Sequence, residues 1–167
     1  MALSVVVLLS VLLLMAGEAA LSAFNERVLR SRGAVEPAGD VYGPMRWAYP
    51  ACFAGMAVEG ALRGPLSGEV MAAGLALFGV AKALKLWAMA TLGVRWTFRV
   101  LVLPNAPLVT RGPYRFVRHP NYLAVLGEIA GIALTLWAPI TGVLACAGFG
   151  ALMLARIRVE NRALGRQ

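Results

Sequence analysis

The sequence predicts an all-α integral membrane protein with about five transmembrane helices, and three observations carry that prediction. First, 60% of the 167 residues are hydrophobic, only 14% are charged and mean hydropathy is +0.73. That is more apolar surface than one small soluble core can hide, so lipid must solvate it. Second, apolar runs of roughly bilayer length are separated by short clusters of glycine, proline and arginine. Third, the arginines gather in alternate gaps between those runs. The net charge of +8 and pI of about 10.5 therefore report membrane orientation, and nucleic acid is not an expected partner because the basic residues form no continuous stripe. Cys52 and Cys146 both fall in apolar segments, and with a single histidine they support neither a disulfide framework nor a metal site.

The first span runs from Ala2 to about Leu21, long enough for a hydrocarbon core of ~30 Å. It lacks the basic start of a cleaved signal peptide, so it is expected to be retained. Glu18, near its inner end, either snorkels or faces the bundle interior. Asn25 to Pro44 is rich in turn residues and carries Arg27, Arg30 and Arg32, which predicts a surface loop with Glu36 and Asp40 solvated. Trp47 to Leu62 makes a shorter second span, with Trp47 and Tyr49 at the interface, Glu59 near its end, and Arg63-Gly64-Pro65 turning the chain. Glu69 to about Thr91 is the third span. Lys82 and Lys85 lie in its last turns and are expected to snorkel rather than to pair across the bundle.

Trp96 to Leu103 alternates and is β-branched, which predicts a short hairpin or extended lid before the turn Pro104-Asn105-Ala106-Pro107. Tyr122 to Trp137 and Ile140 to about Ile157 then form a helical hairpin, spans four and five. Gly127, Gly131, Gly142, Gly148 and Gly150 would let those two helices approach closely. Arg27, Arg30, Arg32 and Arg46 follow span one; Arg95, Arg99, Arg111, Arg115 and Arg118 follow span three; Arg156, Arg158, Arg162 and Arg166 follow span five. The positive-inside rule then puts the N-terminus outside and the C-terminus in the cytoplasm, with Arg63 alone in an opposite loop.

Chemistry concentrates in Leu108 to Tyr122, LVTRGPYRFVRHPNY. Gly112-Pro113 breaks regular structure, and Arg111, Arg115 and Arg118 precede His119-Pro120-Asn121-Tyr122, which opens an apolar run. Pro120 suits the first position of a helix. His119 is thereby placed at a helix mouth and Tyr122 in the first turn, beside free backbone N–H groups that can hold an anion.

GPYRFVRHPNY, preceded by LGVRWTFRVLVLPNAPLVT and followed by a tail bearing Glu160, resembles the isoprenylcysteine carboxyl methyltransferase family of integral-membrane, S-adenosylmethionine-dependent enzymes. The first half, GEAALSAFNERVLRSRGAVEP and then an apolar segment ending in Glu59, is similar to a bacterial branch that works beside type III polyketide synthases and methylates alkylpyrones or alkylresorcinols. The resemblance spans nearly the whole chain and is strongest from Leu92 to Tyr122. It implies one methyltransferase domain over 1–167 with the cofactor region at about 92–167. It also implies a cytoplasmic cofactor-binding loop and C-terminal helix end, a lipidic acceptor and a functional link to such a synthase.

Methyl transfer from a sulfonium needs alignment and exclusion of water more than covalent help. The resemblance assigns His119 and Tyr122 to the cofactor, with Val109, Gly112 and Tyr114 on the loop that lines it. The residues alone also allow a backbone-satisfied histidine and a plain Gly-Pro-Tyr turn. Arg156 and Glu160 stand four apart on the last helix, able to form an ion pair or share a site, and the family places an essential arginine and glutamate at this spacing. Where the family often has a second acid, this chain has Asn161, which could contact the cofactor through its amide. Glu128, about two turns into span four, reads as an acceptor-side base for a hydroxyl or, more readily, as a hydrogen-bonded acid holding span four to its neighbours. Two rival readings remain: an enzyme acting on phospholipid amines, and a non-catalytic membrane scaffold or transport subunit.

Overall fold

Between Gly17 and Gly33 the chain contains neither glycine nor proline, and the first helix runs on past its apolar stretch. The computed structural model describes residues 1–64, 66–104, 106–163 and 165. Helix α1 spans Ala2–Ser31, so Asn25 to Ser31, expected in a loop, is helical; Glu26, Arg27, Leu29 and Arg30 are good helix formers. Helix α2 spans Tyr42–Arg63, with Gly43 and Pro44 in its first turn, where a missing N–H goes unneeded. Helices α3 (Gly68–Leu92), α4 (Pro120–Thr135) and α5 (Pro139–Ala163) complete an all-helical fold, in which no strand occurs among the described residues. Pro65 and Asn105, expected in turns, and Arg166, expected as an inside charge, lie outside the described residues.

Three of the five helices, α1, α3 with its short 3-10 extension, and α5, are long and apolar enough to cross a membrane. Helix α4 has 16 residues, a length of about 24 Å. The outward faces of these helices expose Val5, Val6, Leu13, Val80, Val143 and Leu144, as lipid-facing surfaces do. Phe53, Met56, Ile129, Ile132, Phe149 and Met153 form the core where α2, α4 and α5 meet.

Helix α3 packs most closely on α4. A Cβ on Gly74 would stand 2.5 Å from the Thr135 backbone nitrogen, and one on Gly131 would stand 2.6 Å from that of Phe78, so the two backbones touch through small residues. Gly127 and Gly131 therefore serve α3 rather than α5. Of the glycines expected to join α4 to α5, Gly142 does so, against Ala133, whereas Gly148 meets no neighbour. At the far end Glu59 accepts the N–H groups of Ile140 and Thr141 and pairs with Arg63, capping the start of α5.

Lys82 and Lys85 do not snorkel. Lys85 is seven residues before the end of α3 at Leu92, about 10 Å along the axis, and is 2% exposed. Its Nζ lies 2.6 Å from Glu18 and 3.2 Å from Glu128, while Lys82 Nζ lies 2.7 Å from Glu18 and 2.8 Å from Glu128. Tyr49 of α2, expected at the interface, is drawn inward and donates its hydroxyl to Glu128. Two carboxylates within reach give the ammonium groups partners inside the bundle, so no route to water is needed. Glu18 thus faces the interior, and Glu128 holds α4 to α1, α2 and α3.

Among the described residues from Trp96 to Thr110 no hairpin forms; Val102 pairs instead with Val35 in an isolated antiparallel bridge. Asn25 donates to the Trp96 carbonyl at 2.7 Å, Ser22 accepts the Phe98 N–H at 2.7 Å, and Asp40 accepts the Val100 N–H at 2.9 Å. A strap that finds its hydrogen-bond partners on α1 and the α1–α2 loop has no need of a second strand of its own.

Lys85→Met leaves two carboxylates facing Lys82 alone and is expected to destabilise the protein by about 3–5 kcal/mol. Adding Glu18→Gln, which restores the charge balance, should recover much of that loss in denaturant unfolding in detergent. Equal stability of Lys85→Met and the wild type would show that the four charges do not hold the helices.

Candidate active site

Where α2 begins, α3 ends, α4 begins and α5 ends, beside the middle of α1, the bundle opens around a cavity of about 590 Å³. Its inner wall is apolar, made by Leu12, Met15, Ala16 and Ala19 of α1 with Met45, Val125 and Phe149. The strap from Trp96 to Val102 covers one side. Arg156, Glu160, Tyr122, His119 and Tyr114 supply the polar end. An apolar chamber with one polar end suits an amphiphilic small molecule.

Pro120 starts α4 and His119 is its N-cap residue, as the sequence predicts. Tyr122, one turn in, is the hub of a hydrogen-bond chain. Arg156 Nε donates to its hydroxyl at 2.9 Å, and that hydroxyl donates to Glu160 at 2.9 Å. Arg156 and Glu160 therefore share a partner, and among the described residues they do not pair directly. Arg156 Nη1 lies 3.5 Å from Asp40, whose carboxylate also accepts the N–H groups of Tyr42 and Val100. His119 Nδ1 is 3.7 Å from Glu160. His119 Nε2 and Asn161 Oδ1 are buried yet have no hydrogen-bond partner among the described residues, which a folded protein tolerates where a ligand completes the set.

Tyr114, His119, Tyr122, Arg156 and Glu160 thus meet at one cavity. Val109 lies in a second recess of about 620 Å³, with Tyr114 on the wall common to both. Burial and the Glu160 carboxylate push the Tyr114 phenol well above its ordinary range, so it stays a neutral hydrogen-bonding group. Gly112 lines neither space; it holds the turn Gly112–Arg115 against Thr91 with φ of +59°. Glu128 reaches the cavity only through Lys85 and Tyr49, which do line it.

Asp40 and Glu36, expected to be solvated, are structural. The Asp40 side chain is 5% exposed. Glu36 joins Arg30 at 2.5 Å to Arg99 at 2.7 Å. Burial alone would raise the Glu36 carboxyl, but hydrogen bonds from the two arginines prevail and hold it below its ordinary value. The Asp40–Arg156 and Glu36–Arg99 pairings have no local sequence signature, since the partners are 116 and 63 residues apart. The alternation of the strap was the one available signal that the α1–α2 loop would acquire a partner.

The model of the isoprenylcysteine carboxyl methyltransferase (ICMT) family matches residues 73–166. An uncharacterized protein of Bacillus subtilis (strain 168), YpbQ, is 30% identical over 149 residues, 89% of each chain. An uncharacterized protein of Haemophilus influenzae is 28% identical over 92 residues, 54% of each chain. No solved structure matches.

Gly112 occupies left-handed backbone space, and a side chain there would also collide with Thr91. Gly112→Ala is expected to lower stability by about 1–2 kcal/mol from the backbone strain alone. Adding Thr91→Ala should relieve only the steric part, as read by thermal unfolding in detergent. Complete restoration by Thr91→Ala would show that the backbone conformation is not what requires glycine.

Proposed function

Because the chain belongs to the isoprenylcysteine carboxyl methyltransferase family, and so to a family of membrane methyltransferases, we propose that it moves a methyl group from S-adenosylmethionine to an oxygen of a hydrophobic acceptor. The observation that carries this reading is the chain Arg156–Tyr122–Glu160 beside His119, whose Nε2 is unpartnered among the described residues, at the polar end of an apolar cavity. Those groups fit a ligand carrying amine, carboxylate and nucleoside polar atoms. The cofactor, when bound, supplies a methyl group that is already electrophilic. The protein's work is to hold and orient.

Glu160 and the Asn161 carbonyl accept hydrogen bonds from the cofactor, and His119, Tyr122 and Tyr114 complete its surroundings. Arg156 has five N–H donors. Among the described residues it makes two contacts, to Tyr122 and Asp40, which leaves donors to steady an acceptor oxygen. The α1 wall takes the acceptor's apolar tail and excludes water from the reacting atoms. An isoprenylcysteine-like carboxylate and the hydroxyl of an alkylpyrone or alkylresorcinol both meet these requirements. The latter would make a type III polyketide synthase the supplier of the acceptor. The arginines of the α1–α2 loop, the strap and the end of α5 lie at this same end of the bundle, so it faces the cytoplasm of an inner membrane, with the N-terminus outside.

Purified protein is expected to bind S-adenosylmethionine in calorimetry. His119→Ala and Tyr122→Phe should each weaken that binding about tenfold while retaining the wild-type elution profile. Absence of binding by the wild type would favour a non-catalytic scaffold or transport subunit. Unchanged affinity in both variants would move the cofactor elsewhere, and label appearing on phospholipid amines would favour N-methylation.

A further inference from the structure

Asp40 lies outside the matched stretch 73–166, in the loop before α2, yet its carboxylate stands beside Arg156 of the cavity's polar end. One oxygen accepts the Tyr42 N–H at 3.2 Å and faces Arg156 Nη1 at 3.5 Å; the other accepts the Val100 N–H at 2.9 Å. Its side chain is 5% exposed and that of Arg156 is 8% exposed. A buried carboxylate beside a buried guanidinium, itself fixed by two backbone N–H groups, cannot be a casual surface contact.

Its importance lies in what Arg156 would do otherwise. Arg156 and Glu160 are four residues apart on α5, the spacing at which opposite charges meet on one helix face. Both already touch the Tyr122 hydroxyl, at 2.9 Å each. Among the described residues the Asp40 carboxylate alone is an acid within ion-pair distance of the guanidinium, at 3.5 Å. We propose that Asp40 is a positioning residue that holds Arg156 away from Glu160 and so keeps the Glu160 carboxylate free for the cofactor. This rests on the reading of Glu160 as a cofactor contact. With Asp40 neutralised, Arg156 turns to Glu160 and takes the negative charge that the cofactor's sulfonium and ammonium groups require. The Val100 N–H brings the strap under the same carboxylate, so one residue of the loop sets both the cavity wall and the arginine behind it.

The test is a set of affinities for S-adenosylmethionine by calorimetry, with turnover of labelled methyl alongside. Asp40→Asn should weaken binding about tenfold, and Asp40→Glu, which keeps the charge, should bind near wild type. In a Glu160→Gln background Asp40→Asn should have no further effect, because no carboxylate remains for Arg156 to take. Arg156→Gln, in which the Asp40 carboxylate keeps the Tyr42 and Val100 N–H groups, and the double variant Asp40→Asn/Arg156→Gln, which removes both buried charges, should bind alike; this comparison decides the matter even where Asp40→Asn does not fold. Losses that multiply in either double variant, or wild-type affinity in Asp40→Asn, overturn the proposal alone. A wild-type protein that binds no cofactor overturns the underlying reading together with it.

Discussion

Three charges buried among apolar helices, and a fourth largely buried beside them, must find one another, because apolar surroundings make an unpaired charge costly. Glu18 on α1, Lys82 and Lys85 on α3, and Glu128 on α4 meet this requirement mutually, and Tyr49 brings in α2. Lipid gives helices no hydrophobic reason to associate, so such pairing, with the close α3–α4 contact at Gly74 and Gly131, fixes their depth and rotation. Everything at the polar end follows from that register. The ends of α3 and α5 and the starts of α2 and α4 come together beside the middle of α1, and with the strap they become the walls of a chamber.

That chamber is made by both halves of the chain. The half matched by the family supplies His119, Tyr122, Arg156 and Glu160; the other half supplies the apolar α1 wall, Tyr42, Met45 and the Asp40 carboxylate. Residues distant in the chain are thereby brought to one cavity, its apolar wall from α1 and its polar end from the start of α4 and the end of α5.

Helices were legible because hydropathy and the Pro120 start signal are local. Loop ends were less so. Asn25 to Ser31 reads as polar, yet it lacks any breaker before Gly33 and stays helical. Lys85 reads as a snorkelling residue until Glu18 and Glu128, 67 and 43 residues away, are placed beside it. The helix mouth and the i, i+4 spacing placed His119 with Tyr122 and Arg156 with Glu160; that the two pairs belong together was implied by the family resemblance and not by either local pattern. Tyr122 as the bridge between Arg156 and Glu160 was not, since a direct ion pair and a shared hydroxyl give the same spacing. Asp40 carried no sign of burial, because a lone acid among Gly39, Gly43 and Pro44 looks like any solvated turn residue.

Methyl transfer itself tests the central claim most directly. Protein in liposomes is given S-adenosylmethionine labelled in the methyl group, with an alkylpyrone, an alkylresorcinol or a farnesylcysteine analogue as acceptor. The predicted result is label on an acceptor oxygen, with turnover about a hundredfold lower or less in Glu160→Gln, whose fold is retained. Label on none of these acceptors despite bound cofactor, or turnover by Glu160→Gln equal to the wild type, would contradict it.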